Sequence, residues 1–433
     1  MLIRFSLENF LSFRDRQSLD MMAVRTCKER REENAFLCGT NDRVLRSVAL
    51  YGANASGKSN LFHAMRFFVF FIRESAFNRT ASDDIAVVPF LFDGDSKSKP
   101  SNFELEFTVG DVWYKYGFSV TSQVIESEWL YAREIGSSAM KARFVRKREN
   151  GEDEIEVHPS FVGADTLIIE KTRENALFLS TCAGFAVAEA ESILKEISSW
   201  MFVMASQTRI HATAQMIDCG ECRESVLRFV NMADPSIDDL DVEKIDYDSG
   251  MVGSDGKPVR RMKYRVMMRH KMREAKNITL PLELLGSLGT RKAFELAGPI
   301  FKALSKGSLL FIDELDSRLH PILTREIIKL FNDPNTNPRN AQLVFNTHDT
   351  NLLNCKIYSA NRKKKEQLLR RDQIYFVERT REFVSKMYSL VDFKYDDGAS
   401  VRNDASFEKE YLAGEYGAIP FIGKFDFCGG IDE

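Results

Sequence analysis

The chain lacks what would mark it as secreted, membrane-spanning or fibrous. Seven cysteines in 433 residues, odd in number and scattered from Cys27 to Cys428, are too few for a disulfide framework and read as reduced thiols. Cys219 and Cys222 form a C-x-x-C, but no second pair stands at zinc spacing, so they read as two ordinary thiols near a helix start. Apolar runs such as Phe67 to Ile72 stop far short of the ~20 residues that cross a bilayer. The opening Met1-Leu-Ile-Arg-Phe carries no signal-peptide pattern, and the expectation is a cytoplasmic protein with no membrane partner. Charge of one sign is missing as well. Sixty Lys plus Arg against 63 Asp plus Glu leave a formal charge of −3, so the body has no positive field for non-specific nucleic-acid binding. Any such contact has to be a local patch. Neither an internal repeat nor a sustained heptad is present, which removes solenoids and a coiled-coil arm.

What is there is ordinary globular composition, 44% hydrophobic and 28% charged, at a length of about three modules or one large α/β domain with insertions. Leu2 to Phe13 alternates as a strand and turn, and Arg25 to Asn34 reads as a polar loop. Ser47 to Tyr51 is a short apolar run that ends at Gly52, and a Phe-rich helix follows from Lys58 to Arg73. Phe103 to Val109, a Gly110-Asp111 turn and Val112 to Val120 read as a hairpin, with Val124 to Arg133 as its third strand. Ala186 to Met204 reads as one helix through Val187, Ile193, Leu194, Ile197 and Met201, and Ser225 to Asn231 as another. Then come a helix near Gly289, a strand Leu309 to Ile312, a helix after Pro321, and strands Leu343 to Asn346 and Gln373 to Val377. Strands alternating with helices imply a mostly parallel sheet with crossovers.

Gly52-Ala-Asn-Ala-Ser-Gly57-Lys58-Ser59 fits G-x-x-x-x-G-K-[ST], fed by a strand and left by a helix. In such a loop Gly52 and Gly57 permit the tight path, and backbone amides point at a nucleotide's β-phosphate. Lys58 reaches the β- and γ-phosphates of ATP, and the Ser59 hydroxyl ligates Mg²⁺. Asn54, Ser56 and Asn60 complete the candidate nucleotide set. Ser308-Leu-Leu-Phe-Ile-Asp313-Glu314 is an apolar strand ending in two carboxylates. Asp313 would hold Mg²⁺, and Glu314 would orient or deprotonate the attacking water. Upstream, Ser287-Leu-Gly289-Thr290 stands just ahead of a helix whose free amides can bind an anion. Downstream, a strand ends at His348-Asp349, where a histidine can donate to a γ-phosphate and sense it.

In order and wording these elements resemble the ABC-type ATPases of the SMC and overcoming-lysogenization branch, and within it the stand-alone AAA-15/AAA-21 bacterial defence ATPases. The segments that carry the resemblance are Leu7-Glu-Asn-Phe-Leu-Ser-Phe13, Tyr51 to Asn60, Ser287 to Thr290, Phe311 to Pro321, Asn346 to Leu353, Arg371 to Glu378 and Tyr411 to Pro420. It implies an ABC-type P-loop ATPase head of α/β class, with a mostly parallel sheet, an antiparallel β layer and an inserted helical and mixed lobe. The corresponding division is 1–100 with the phosphate loop, 101–280 with the antiparallel strands and lobe, and 281–433 with the remaining motifs. The resemblance assigns Ser287 to Thr290 as a shortened ABC signature, Asp316 as the D-loop and His348 as the switch histidine. It also implies a homodimer through shared ATP sites, open to extension into a higher-order ring. One departure is that no glutamine can be placed as the Mg²⁺ sensor; Gln123 follows the hairpin and is a poor candidate.

Two function classes follow. In the first, the chain is a sensor or scaffold ATPase in anti-phage defence, answering a phage-encoded trigger and controlling a separately encoded toxic effector, a nuclease. Residues 349–433 are too few for the Toprim nuclease of overcoming-lysogenization proteins and hold no paired-carboxylate motif, which places the toxic chemistry on another chain. The second is an SMC-like DNA-repair or DNA-tethering ATPase that binds nucleic acid directly. Lys257 to Arg273 has eight Lys or Arg and no acid; as a strand it would put Arg261, Lys263 and Arg265 on one face that could meet phosphate or an acidic protein, and it reads more simply as a solvated strand face. Arg362 to Lys365 reads as an exposed basic loop, and Asp238, Asp239, Asp241, Asp246 and Asp248 as a solvated acidic loop.

Overall fold

Ser47–Tyr51 is buried at every position, as a strand covered on both faces must be. The computed structural model describes residues 1–39, 41–77, 80–205, 210–252, 258–270, 278–354, 356–358 and 365–419. In it this strand is fourth in a six-stranded sheet whose spatial order is Met201–Val203, Leu309–Ile312, Gln342–Asn346, Ser47–Tyr51, Ile374–Arg379 and Ser385–Ser389. The first five are parallel and the last is antiparallel. Their side chains alternate between two cores. Val48, Leu50, Leu309 and Phe311 join one core, and Ala49, Tyr51, Leu310 and Ile312 join the other.

The first core holds the helix Lys58–Glu74, which lies between two sheets. Its Phe62 meets Phe311 of the parallel sheet edge-on at 5.6 Å between ring centroids. Six residues on, Phe68 stacks on Phe118 at 5.2 Å. Phe118 belongs to a seven-stranded antiparallel sheet in the order Glu152–Val157, Lys141–Glu149, Ile125–Glu134, Val112–Val120, Ser101–Val109, Leu2–Glu8 and Gln17–Asp20. Strand pairing thus crosses residue 100, because Leu2–Glu8 is bonded to Ser101–Val109. The second core packs the helices Leu288–Lys306 and Pro321–Asn332 on the other face of the parallel sheet.

Three local readings change. The helix expected to run to Met204 is Ala188–Ser198, and Met201–Val203 is a parallel strand bonded to Leu310–Ile312. Met201 happens to continue the helical spacing, but five consecutive apolar residues, Trp200 to Met204, suit a sheet edge between packed layers better than a one-sided helix. The expected loop ending at Asn34 closes in a short helix, Arg31–Asn34. The acidic segment is not a loop: Ile237–Val252 is a long strand paired with Pro258–His270. There Arg223 bridges Asp239 and Asp241 at 3.1 and 2.9 Å. Lys263 and Arg265 do share a face, and Arg265 stands 3.9 Å from Glu243 on the neighbouring strand. Lys257, Lys271, Arg273 and Arg362 to Lys364 lie outside the described residues. Among the described residues no helix is long and apolar enough to cross a membrane.

Candidate functional site

The phosphate loop leaves the carboxyl end of Ser47–Tyr51 and returns as the first turn of Lys58–Glu74. Two glycines make that path possible. Gly57 has φ 112°, and a Cβ there would sit 2.2 Å from the Ser385 hydroxyl; at Gly52, φ 152°, it would sit 2.2 Å from the Val377 carbonyl. Substitution at either is blocked by both strain and space. Lys58 Nζ folds back and donates to the Gly52 and Ala53 carbonyls at 2.7 and 2.9 Å. Burial pulls its pKa down to about 8, against the opposing pull of Asp313, Glu314 and Asp316. Asn54 is exposed at the loop's apex, whereas Ser56 is buried and its hydroxyl has no partner among the described residues. Asn60 Nδ2 donates to Ser12 Oγ at 2.7 Å.

Asp313 and Glu314 follow the strand Leu309–Ile312, one strand removed from the phosphate loop. Ser59 Oγ donates to Asp313 Oδ1 at 3.0 Å. A hydroxyl and a carboxylate oxygen are hard donors that suit Mg²⁺, which takes few protein ligands and fills its shell with phosphate and water. Glu314 has φ 55°, a strained backbone for a residue with a side chain. The Asn346 amide holds it there: Asn346 Oδ1 accepts from the Glu314 backbone N–H, and Asn346 Nδ2 donates to Asp313 Oδ1. Asn346 is buried at the end of the intervening strand. Asp316 accepts from the His348 backbone N–H at 3.3 Å, tying the D-loop candidate to the histidine. Burial, and then the Lys58 charge, lower the His348 pKa and favour a neutral ring.

Ser287, Gly289 and Thr290 stand apart from this cluster. Ser287 Oγ caps the helix Leu288–Lys306, accepting from the Thr290 N–H at 3.0 Å. Thr290 is buried and donates to Asp234 Oδ2 at 3.4 Å. A Cβ on Gly289 would lie 3.2 Å from the Arg318 carbonyl, which puts the helix start beside the loop after Asp316. Three leucines surround this cap in the open: Leu284, Leu285 and Leu288 are 75%, 61% and 56% exposed.

Sequence reasoning missed Asn346 as a clamp, although a lone amide ending a run of buried apolar residues beside an Asp-Glu strand was a usable signal. It also missed Ser385, whose hydroxyl donates to the Ser56 carbonyl at 2.6 Å and braces the loop from below. No local pattern marks that residue. Gln123 is exposed in a turn, with its N–H on Thr121 Oγ1 at 3.3 Å. Cys219 is exposed and Cys222 half-buried, both as free thiols.

A strand carrying Asn346 to His348 inserted between the phosphate-loop strand and the carboxylate strand, with an antiparallel sheet over one face and a serine-capped helix on the other, is the head architecture of an ABC-type P-loop ATPase. The chain belongs to the AAA_21 family, described as “AAA domain, putative AbiEii toxin, Type IV TA system”, which it matches over residues 47–180 and 188–354. Among solved structures it is similar to an SmcHead bound to the C-winged helix domain of ScpA, at 12% identity and TM-score 0.37, covering 90% of this chain and 97% of that one. It is similar also to the recombination mediator protein RecF-ATP in the RecFOR pathway, at 12% identity and TM-score 0.32, covering 89% and 97%. No curated protein matches it significantly.

Proposed function

We propose that this ATPase is an ATP-gated switch: two chains close head to tail on shared ATP, hydrolysis reopens them, and the cycle controls a separately encoded toxic effector in anti-phage defence. Lys58 leaves the Gly52 and Ala53 carbonyls for the β- and γ-phosphates, trading two neutral acceptors for an anion. Mg²⁺ held by Ser59 and Asp313 would supply charge neutralisation at the phosphates. Glu314, its backbone fixed by Asn346, takes a proton from the water that attacks the γ-phosphate. His348 donates to the γ-phosphate, and Ser287, Gly289 and Thr290 present a helix start to the partner chain's phosphate.

The observation that carries the closure is the leucine-ringed cap. A serine meant only to end a helix needs no exposed Leu284, Leu285 and Leu288 around it, whereas a surface that another chain covers does. The defence setting rests on the family description, and the effector and trigger rest on the resemblance of the sequence to the defence ATPases. The nucleic-acid reading is less supported, because two cations of Pro258–His270 face carboxylates: Arg269 pairs with Asp239 and Arg265 with Glu243.

Light scattering on Glu314→Gln tests the reading. With ATP and Mg²⁺ it should form a stable dimer that wild type forms only transiently, and it should hydrolyse ATP at least 100-fold more slowly. A monomer at saturating ATP, or wild-type hydrolysis, refutes it.

A further inference from the structure

Away from the phosphate loop lies a cleft of about 470 Å³, within the range of small-molecule sites. Its walls are the helices Lys58–Glu74 and Leu288–Lys306, its third side is the helix His211–Asp218, and its floor is the segment Trp200–Met204. That segment includes the outermost strand of the parallel sheet, whose outer edge is unpaired among the described residues.

The lining is amphipathic. Phe70, Trp200, Phe202 and Met216 give it an apolar, largely aromatic floor. Arg66, Arg73, Lys302 and Lys306 stand around it, and none has an ion-pair partner among the described residues. Both guanidiniums lie 5.3 Å from the Phe70 ring centroid, held over one aromatic surface. Two carboxylates, Glu221 and Glu295, leave the excess positive, and Glu295 has Lys292 at 3.8 Å. The Trp200 indole is 4% exposed, and its Nε1 has no acceptor among the described residues.

The cleft is preformed. Pro299 has no N–H to offer the Glu295 carbonyl, and Thr213 Oγ1 takes up that carbonyl at 3.4 Å while accepting the Gly298 N–H at 3.0 Å. A Cβ at Gly298 would come within 2.5 Å of that hydroxyl, so the two helices are locked together at closest approach.

We propose that this cleft binds an amphipathic organic anion: an aromatic or apolar body on Phe70, Trp200 and Phe202, with a carboxylate, phosphate or sulfonate held by Arg66, Arg73 and the two lysines. The body excludes water from the floor.

The test is a titration of the full chain, without nucleotide, with 8-anilinonaphthalene-1-sulfonate, read by emission on tryptophan excitation. Saturable binding of one probe per chain is expected, at least tenfold weaker in the double variant Arg66→Glu, Arg73→Glu. Ala212→Phe, a substitution at an exposed position on the wall, should block the probe without touching the core. Arg25→Glu, distant and 77% exposed at its side chain, should change nothing. Equal binding in all four proteins, or binding that does not saturate, overturns the proposal. So does tighter capture of an octapeptide alternating Glu and Phe, lost in the same variants, since the cleft would then belong to a protein strand.

Discussion

Arg146 and Lys58 are both buried cations, and the protein treats them in opposite ways. Arg146, on the antiparallel sheet, is completely buried and donates to Asp153 at 2.6 Å and to the Ala176 carbonyl at 2.7 Å. Glu128 stands 3.8 Å away, and accepts in turn from Tyr116 at 2.9 Å and from the Phe178 N–H at 2.6 Å. Two carboxylates thus stand beside that charge, although its Nε has no hydrogen-bond partner among the described residues. Lys58 has only two carbonyls of its own loop, with no carboxylate at ion-pair distance among the described residues, and burial pulls its pKa to about 8. Arg146 is answered by carboxylates within the chain; Lys58, the cation proposed to hold a phosphate, has none at ion-pair distance among the described residues.

The contrast can be broken most forcefully by exchanging the consequences of losing each residue. Arg146→Met should cost about 3–5 kcal/mol, because it strands buried Glu128, and should show as a large drop in the thermal midpoint. Lys58→Met should leave the nucleotide-free protein as stable or more so, yet abolish ATP binding by calorimetry. If Lys58→Met proves the more destabilising of the two, the comparison fails. Next in size, Asn346→Ala should slow hydrolysis on the order of 100-fold with ATP affinity changed far less, since it frees the Glu314 backbone rather than a phosphate contact.

The pH dependence sharpens the same point. Between pH about 8 and the ordinary lysine value of 10.5, the unfolded chain keeps a proton that native Lys58 has released. Unfolding free energy from this group therefore rises with pH across that window, and below it the penalty of roughly 3 kcal/mol is fully present. Wild type should gain stability between pH 7.5 and 9.5 relative to Lys58→Met, while its ATP affinity falls as the ammonium is lost. Parallel pH profiles for the two proteins would show that Lys58 is not the poised group. The smallest effect expected is at the cap: Leu288→Ser should weaken the ATP-dependent dimer about tenfold, by sedimentation, with monomer ATP binding unchanged.

How much of this was legible in the sequence follows from how locally each feature is encoded. The phosphate loop, the strand before it and the helix after it are contiguous, so one motif fixes all three. Asp313 and Glu314 close an unbroken apolar run and read as clearly. The hairpin Lys141–Glu149 with Glu152–Val157 went unread although Asn150-Gly151, both left-handed at φ 53° and 87°, is a strong two-residue turn signal. Charged residues crowd those strands and hide the alternation. Met201–Val203 could not be told from helix by spacing, because its strand character comes from Leu310–Ile312, more than a hundred residues away in sequence. Asn346 and Ser385 owe their roles to contacts across strands, which no local window contains.

Mixing two inactive variants tests the shared site most directly. Lys58→Ala cannot hold the phosphates, and Ser287→Arg cannot cap a partner's phosphate, so each alone should be inactive. A mixed dimer pairs the intact Lys58 of one chain with the intact Ser287 of the other and rebuilds one of its two sites. The account predicts that ATP hydrolysis returns on mixing, toward a quarter of the wild-type rate at equal amounts. Full activity of Ser287→Arg alone, or no recovery on mixing two folded variants, would contradict it.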